Sequence, residues 1–299
     1  MTPAETERAR LTRSAALASS AVAVTLLGLK AWAAYATSSV AMLGSLADTS
    51  LDLVASLLTL FAVGFAAAPA DDDHRFGHGK AEAIAALMQT LLIIGSAVLI
   101  LWRAIITFGN PDLPSAPEVG IGVSVVGIAL TLALVAWQKS VVKRTGSIAI
   151  STDSLHYQSD LLLNAAVIVA FVLDVLLGLH GADAVLGIVI ALWIGWSAIR
   201  SARHAVDMLM DREWPPARRA RVAEIAMSVP GVEDVHDLRT RSSGVSDFIQ
   251  FHIWLAPDMT VQAAHDIVDT IEARLQHEFS DAECFIHIDP RGHRDTVLA

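Results

Sequence analysis

Residues 41–61, AMLGSLADTSLDLVASLLTLF, are apolar enough and long enough to cross a lipid bilayer as a helix, yet they contain Asp48 and Asp52. A carboxylate at membrane depth costs roughly 2.5–3.5 kcal/mol on insertion scales, so such a residue indicates a functional site. Four residues make about one helical turn, so the two carboxylates lie on one face of the helix. The stretch therefore predicts a membrane-spanning helix that carries a cation site.

A second apolar stretch, STDSLHYQSDLLLNAAVIVAFVLDVLL at residues 151–177, repeats this spacing with His156 and Asp160. Two helices with one such pair each can supply four ligands to one ion, the number that tetrahedral zinc prefers. Taken singly, Asp48 is explained by a helix cap and His156 by a place at the water boundary, but neither explanation covers two matched pairs. We predict that Asp48, Asp52, His156 and Asp160 bind one metal ion.

The composition is that of a polytopic helical membrane protein. Of the 299 residues 54% are hydrophobic and 17% are charged, less charge than a soluble chain of this length carries. Six apolar segments of about span length are present. They cover approximately residues 14–34, 39–65, 83–106, 119–138, 155–178 and 184–203.

The basic residues predict the orientation of these spans. Lys and Arg lie before the first span and in the loops after the second and fourth, and are absent from the loops after the first, third and fifth. By the positive-inside rule, the N-terminus, the basic loops and the C-terminal tail are cytoplasmic.

The chain becomes soluble in character after the last span, which predicts a transmembrane domain at residues 1–206 and a cytoplasmic domain at 207–299. Pro215-Pro216 begins a helical pattern, and period-two alternation at residues 245–257 indicates a strand. The order helix, strand, strand, helix, strand in about 85 residues suits a small α+β domain with helices on one face of a single sheet.

A second candidate metal site lies in the loop after the second span, DDDHRFGHGK at residues 71–80. Asp71, His74 and His78 fall within a few positions of one another, and Asp72 or Asp73 can replace Asp71 in the same role. Because such a loop is exposed and supplies three protein ligands, binding there is expected to be weaker than in the membrane.

A third candidate site lies in the tail domain. His287 and Asp289 are two residues apart on a predicted strand, so both side chains point to one face. His236 and His252 come from the other two strands, and His265 from the second helix. Together these residues predict a site for one or two zinc ions.

Several functions are disfavoured. No HExxH motif, Walker loop or nucleophile elbow occurs, so neither ATP nor acyl chemistry is indicated. The tail carries 17 acidic against 9 basic residues, which suits cations and not nucleic acid. Two alternatives to transport remain at this stage. One is a membrane metalloenzyme with Asp48 or Asp160 as its base, and the other is a metal sensor or storage protein that the spans anchor.

The paired DxxxD and HxxxD segments, the loop DDDHRFGHGKAE and the tail segments HDLRTR, FIQFH and HID closely resemble the cation diffusion facilitator family, and within it the bacterial YiiP-type zinc exporters. The resemblance covers nearly the whole chain. It implies a homodimer with six spans per protomer, a ferredoxin-like cytoplasmic domain and metal-for-proton antiport by alternating access. It places the family's charge interlock between protomers on Lys80 and Asp211, and its three metal sites on the residues named above.

From the residues and the resemblance together we expect a secondary transporter of the bacterial inner membrane and not an enzyme. Its expected substrate is Zn²⁺, with Cd²⁺ and Fe²⁺ as further candidates and H⁺ as the counter-ion. The expected partners are a second copy of the chain, the lipid bilayer and divalent metal ions.

Overall fold

Six long helices precede a small mixed domain in the computed structural model, which describes residues 3–37, 40–107, 118–177, 182–280 and 282–293. The six helices are α1 (Pro3–Thr37), α2 (Val40–Ala66), α3 (Ala81–Thr107), α4 (Glu118–Thr145), α5 (Ile148–Leu177) and α6 (Ala182–Leu209). The tail elements are α7 (Pro216–Met227), β1 (Asp234–Ser242), β2 (Asp247–Leu255), α8 (Val261–Glu278) and β3 (Ala282–Pro290). The predicted six-helix domain and the αββαβ order are confirmed.

Several helices continue past the predicted apolar segments. For example, α1 begins at Pro3, and α4 runs on through Lys143 and Arg144 to Thr145. Hydropathy marks where a helix crosses lipid, whereas a helix end in water continues until a breaking signal. At the end of α4 that signal is Gly146, whose φ of 64° is left-handed and whose N–H donates to Val142 O at 2.8 Å.

The outer faces of the long helices are apolar. Judged on their described residues, all of these helices except α5 are long and apolar enough to cross a membrane. Large side chains such as Leu51, Phe61 and Trp102 are exposed, as expected where lipid is the solvent. Within the bundle α3 packs closely on α6 and α1 on α2, whereas α2 and α5 meet over a shorter stretch.

The tail domain is one three-stranded sheet with a helical layer on one face. β1 pairs antiparallel with β2, and β2 pairs parallel with β3. Ile249, Phe251 and Ile253 alternate along β2 and are fully buried against residues of α7 and α8 such as Ile271. The intervening residues of β2 therefore point to the opposite face of the sheet.

The tail packs closely against the loop between α2 and α3. Lys80 Nζ lies 2.9 Å from Asp211 Oδ1, within a single chain, so the two residues that the resemblance assigned to an interlock between protomers already pair here. A Cβ added at Gly79 would lie 2.2 Å from the carbonyl oxygen of Ser243, so this approach requires glycine. The predicted domain division at residues 206 and 207 stays a prediction and falls within α6.

Candidate metal centres

The carboxylates and the imidazole of α2 and α5 converge within the membrane domain. His156 Nε2 lies 3.0 Å from Asp52 Oδ1 and 3.8 Å from Asp160 Oδ2. One ligand atom from each residue lies within 4.8 Å of the others, close enough for all three to bind one ion. The i,i+4 spacing puts His156 and Asp160 on the same face of α5, and that face meets α2 at Asp52.

Asp48 is not brought into this group. It lies one turn before Asp52 on α2 and is exposed, whereas the side chains of the grouped residues are 15–36% exposed. The structure thus assembles three of the four predicted ligands. Asp48 thus puts a fourth carboxylate about one turn from the group, and its role as a ligand stays a prediction.

Two ionisable residues beside the intramembrane group, Lys30 and Asp153, were not predicted from the sequence. Lys30 of α1 donates from Nζ to Thr49 Oγ1 at 2.6 Å, between the positions of Asp48 and Asp52. Asp153 of α5 is fully buried three residues before His156. The signal for both was present, because each is a charged residue inside or beside an apolar segment, but neither belongs to an i,i+4 pair.

The loop cluster has the predicted residues side by side. His74 Nδ1 lies 3.1 Å from Asp71 Oδ1, and His78 Nε2 lies 3.2 Å from Asp71 Oδ2. The backbone N–H of His74 donates to Asp71 at 2.6 Å, and this bond lowers the pKa of the carboxyl. An ionised Asp71 is the form that binds a cation. His78 is buried, while Asp71 and His74 are exposed, which suits a partly hydrated site.

The tail cluster lies in one row across the sheet. His236 pairs in register with His252, and His252 with His287, so three histidines stand side by side on three strands. Asp289 lies beneath them: its Oδ2 is 2.9 Å from His252 Nδ1 and 3.3 Å from His236 Nε2, and its Oδ1 is 3.4 Å from His287 Nε2.

The donor chemistry of this cluster fits a metal ion. Both ring nitrogens of His236 are buried without a well-formed hydrogen bond to any described residue, as expected of a ligand whose partner is a cation. Burial raises the pKa of Asp289, but the hydrogen bond with His252 and the neighbouring imidazoles outweigh burial and lower it. An ionised carboxylate and neutral imidazoles are the forms that bind zinc.

His265 lies apart from this cluster. It is exposed on α8, where Nδ1 is 3.2 Å from Asp269 Oδ1. α8 covers the core face of the sheet, whereas His252 belongs to the opposite face, so the sheet separates them within one chain. The sequence predicted a helix at this position but did not show which face of the sheet the helix covers. A role for His265 in metal binding stays a prediction.

Comparison with known proteins assigns the family. Residues 16–210 match the model of the cation efflux transmembrane domain, and residues 214–291 match that of the cation efflux protein cytoplasmic domain. The chain belongs to the cation efflux family. It is therefore a multi-pass membrane transporter of metal cations, which makes the metalloenzyme and storage alternatives unnecessary.

Relatives in the family align along nearly the whole chain. The cation-efflux pump FieF of Serratia proteamaculans is 42% identical over 286 residues, which cover 96% of this chain and 95% of the relative. FieF of Salmonella typhimurium is 41% identical over 281 residues, 94% of this chain and 93% of the relative.

Among solved structures, the Zn form of CzrB is 31% identical, with a TM-score of 0.27, and the match covers 28% of this chain and 98% of that one. The nickel form of a MamM CTD variant is 29% identical, with a TM-score of 0.25, and the match covers 26% of this chain and 99% of that one.

Proposed function

We propose that this cation efflux protein is a proton-coupled antiporter that exports divalent transition metal ions from the cytoplasm, with zinc preferred and cadmium and iron(II) as further substrates. The observation that carries the proposal is the meeting of Asp52, His156 and Asp160 at one point between α2 and α5. A ligand set inside the membrane domain lies on the route of a transported ion, whereas a structural metal needs no such position.

The donors account for the choice of metal. Carboxylate oxygens are hard ligands that suit magnesium, calcium and manganese, whereas imidazole nitrogen suits zinc and iron. One imidazole beside two carboxylates, with Asp48 nearby, gives a mixed set of borderline character. Such a set favours zinc over manganese and leaves cadmium and iron(II) as competitors.

The same donors account for proton coupling. A carboxylate or imidazole binds metal only when it is deprotonated, so the metal and the protons compete for the same atoms. With His156 Nε2 only 3.0 Å from Asp52 Oδ1, one proton can be shared where the metal would bind. If the site releases the metal outside the cell and releases protons into the cytoplasm, the two ions are exchanged across the membrane.

The orientation and assembly follow from the basic loops and the tail. We propose that both termini are cytoplasmic in a bacterial inner membrane, because the N-terminal segment and the loops on the side of the tail carry arginines and lysines, whereas the opposite loops carry none. We further propose a homodimer, in which metal bound at the acidic tail offsets repulsion between protomers and draws them together. Light scattering of the purified protein measures its oligomeric state and tests this directly.

The transport proposal is tested in liposomes with a proton-sensitive dye. Asp52→Ala and His156→Ala are expected to abolish zinc-driven proton flux while the protein still folds. The matched controls are Ser50→Ala and Gln158→Ala, which remove polar groups that bond within the same two helices and should keep the flux. Undiminished flux in both ligand variants would remove the intramembrane site from the transport pathway.

The metal preference has its own test. His156→Asp leaves only oxygen ligands in the site. In a competition flux assay with zinc, cadmium, iron(II) and manganese, the transport rate of manganese should therefore rise relative to that of zinc. An unchanged order of the four metals would show that the imidazole does not set the selectivity.

A further inference from the structure

Asp153 is a buried carboxylate that the metal site does not use. It lies on α5 about one turn before His156 and is fully buried. Three neutral donors from three other helices point at it: Ser19 Oγ at 2.6 Å and Gln138 Nε2 at 2.7 Å donate to Oδ2, and Gln89 Nε2 at 3.2 Å donates to Oδ1. One side chain thus ties α5 to α1, α3 and α4.

The same network joins the two helices that carry the metal ligands. Ser56 follows Asp52 by one turn of α2, and its hydroxyl lies 2.8 Å from the hydroxyl of Tyr157, the residue next to His156. The hydroxyl of Ser19 also lies 3.0 Å from that of Ser56. The contact between α2 and α5 is therefore made directly beside the metal site, through buried polar groups.

The network lies on the side of the metal site that faces the tail domain. The end of α2 and the start of α5 both lead to this side, and the loop after α2 contacts the tail. Exposure rises along α5 in the opposite direction, from 0% at Asp153 to 36% for the side chain of Asp160. A layer of apolar side chains, each at most 7% exposed, lies on the tail side of the network: Leu11, Ala15, Ala16, Val63, Val141, Ala149 and Ile150.

We propose that Asp153 is a positioning residue whose hydrogen bonds hold the tail-domain side of the metal site closed. A buried carboxylate is costly unless its oxygens are satisfied, and here the donors come from helices that must separate if this side is to open. Opening breaks several bonds to one group at once, which makes the closed arrangement a distinct state and not one end of a continuous motion. This role rests on the proposed transport function, since only a carrier needs both sides of its site to open in turn.

The experiment measures access to a reporter cysteine in the full-length protein. Cys284 is the single cysteine, so Cys284→Ser gives a background without thiols. Ala149→Cys then places one thiol in the fully buried apolar layer. A membrane-impermeant maleimide is applied from the tail-domain side of membrane vesicles, without added metal and without a proton gradient.

Asp153→Ala should raise the labelling rate of the reporter about tenfold or more, because hydrogen bonds to a buried carboxylate shift a two-state equilibrium by at least that factor. Asp153→Asn keeps one acceptor oxygen and should give an intermediate rate. The matched control is Thr90→Val, which removes a fully buried hydroxyl that donates to Ala86 O of its own helix, and it should label at the parent rate.

Gel filtration and the midpoint of thermal unfolding establish that each variant is folded. If both folded Asp153 variants are labelled at the parent rate, the proposal is overturned. If Asp153→Ala does not fold, Asp153→Asn decides the question on the same measure. A zinc affinity at the intramembrane site that falls in Asp153→Asn, while labelling stays unchanged, would make Asp153 part of the ligand set and equally overturn the proposal. Because labelling needs no transport, failure here is distinct from failure of the flux test on Asp52 and His156.

Discussion

The tail cluster allows a quantitative prediction for Asp289→Asn. Asp289 Oδ2 lies 2.9 Å from His252 Nδ1 and 3.3 Å from His236 Nε2, so the carboxylate is the charged member of the group that these three residues form, with His287 beside it. Zinc that binds only the folded domain stabilises it by about 2.7 kcal/mol at a concentration 100 times the dissociation constant. Loss of the carboxylate should weaken binding about 100-fold, since even outer-shell changes cost 10–100-fold. The same zinc then contributes about 0.4 kcal/mol.

These free energies correspond to shifts that thermal unfolding resolves. For a domain of this size about 1 kcal/mol moves the midpoint by roughly 4–8 °C, so zinc should raise it by about 10–20 °C in the parent and about 2–3 °C in the variant. The domain has its own hydrophobic core, and residues 207–299 contain two tryptophans, Trp214 and Trp254, whose fluorescence reports unfolding. His277→Ala, an exposed histidine of α8, is the matched control and should keep the full shift. Equal zinc shifts in the parent and in Asp289→Asn would refute the assignment of Asp289 as a ligand.

Three further predictions follow from contacts in and around the tail. Gly79→Ala should push the loop away from Ser243 O and speed hydrogen exchange over residues 71–80, whereas Gly64→Ala, where an added methyl meets open space, should not. Phe251→Ala should lower the free energy of unfolding of the tail by about 3–5 kcal/mol in urea, because the ring is fully buried; an unchanged urea midpoint would contradict the assigned core. The side-chain hydrogen bonds from Arg221 lower the pKa of Glu278, so this pair stabilises the fold above about pH 4.5 and is lost as the pH falls through the lowered pKa. Glu278→Gln should therefore lower the free energy of unfolding at pH 7 and make that free energy fall less steeply between pH 7 and pH 3. If the free energy of unfolding from urea curves falls equally in the parent and in Glu278→Gln over this range, the pair does not contribute as described.

Much of this architecture is readable in the sequence because local rules determine it. Hydropathy located the six long helices, and the period-two pattern located β2, since burial on one face requires that alternation. The i,i+4 spacing predicted that Asp52 would meet His156 and Asp160, and the structure brings those residues together.

The features that escaped prediction depend on contacts between distant segments. Asp153 acquires its partners from α1, α3 and α4, and no short-range pattern pairs it with Ser19, 134 positions away. The exposure of Asp48 depends on how α2 packs against its neighbours. His265 was predicted to lie on a helix, but which face of the sheet that helix covers depends on the chain connection after β2.

The parallel pairing of β2 with β3 has a consequence for biosynthesis. The row of three histidines and the carboxylate beneath it are completed by β3, which follows both other strands in the chain. Because synthesis runs from the N-terminus, Asp52, His156 and Asp160 leave the ribosome well before this strand does. Loss of β3 would therefore remove His287 and Asp289 from the predicted tail site while leaving Asp52, His156 and Asp160 in place.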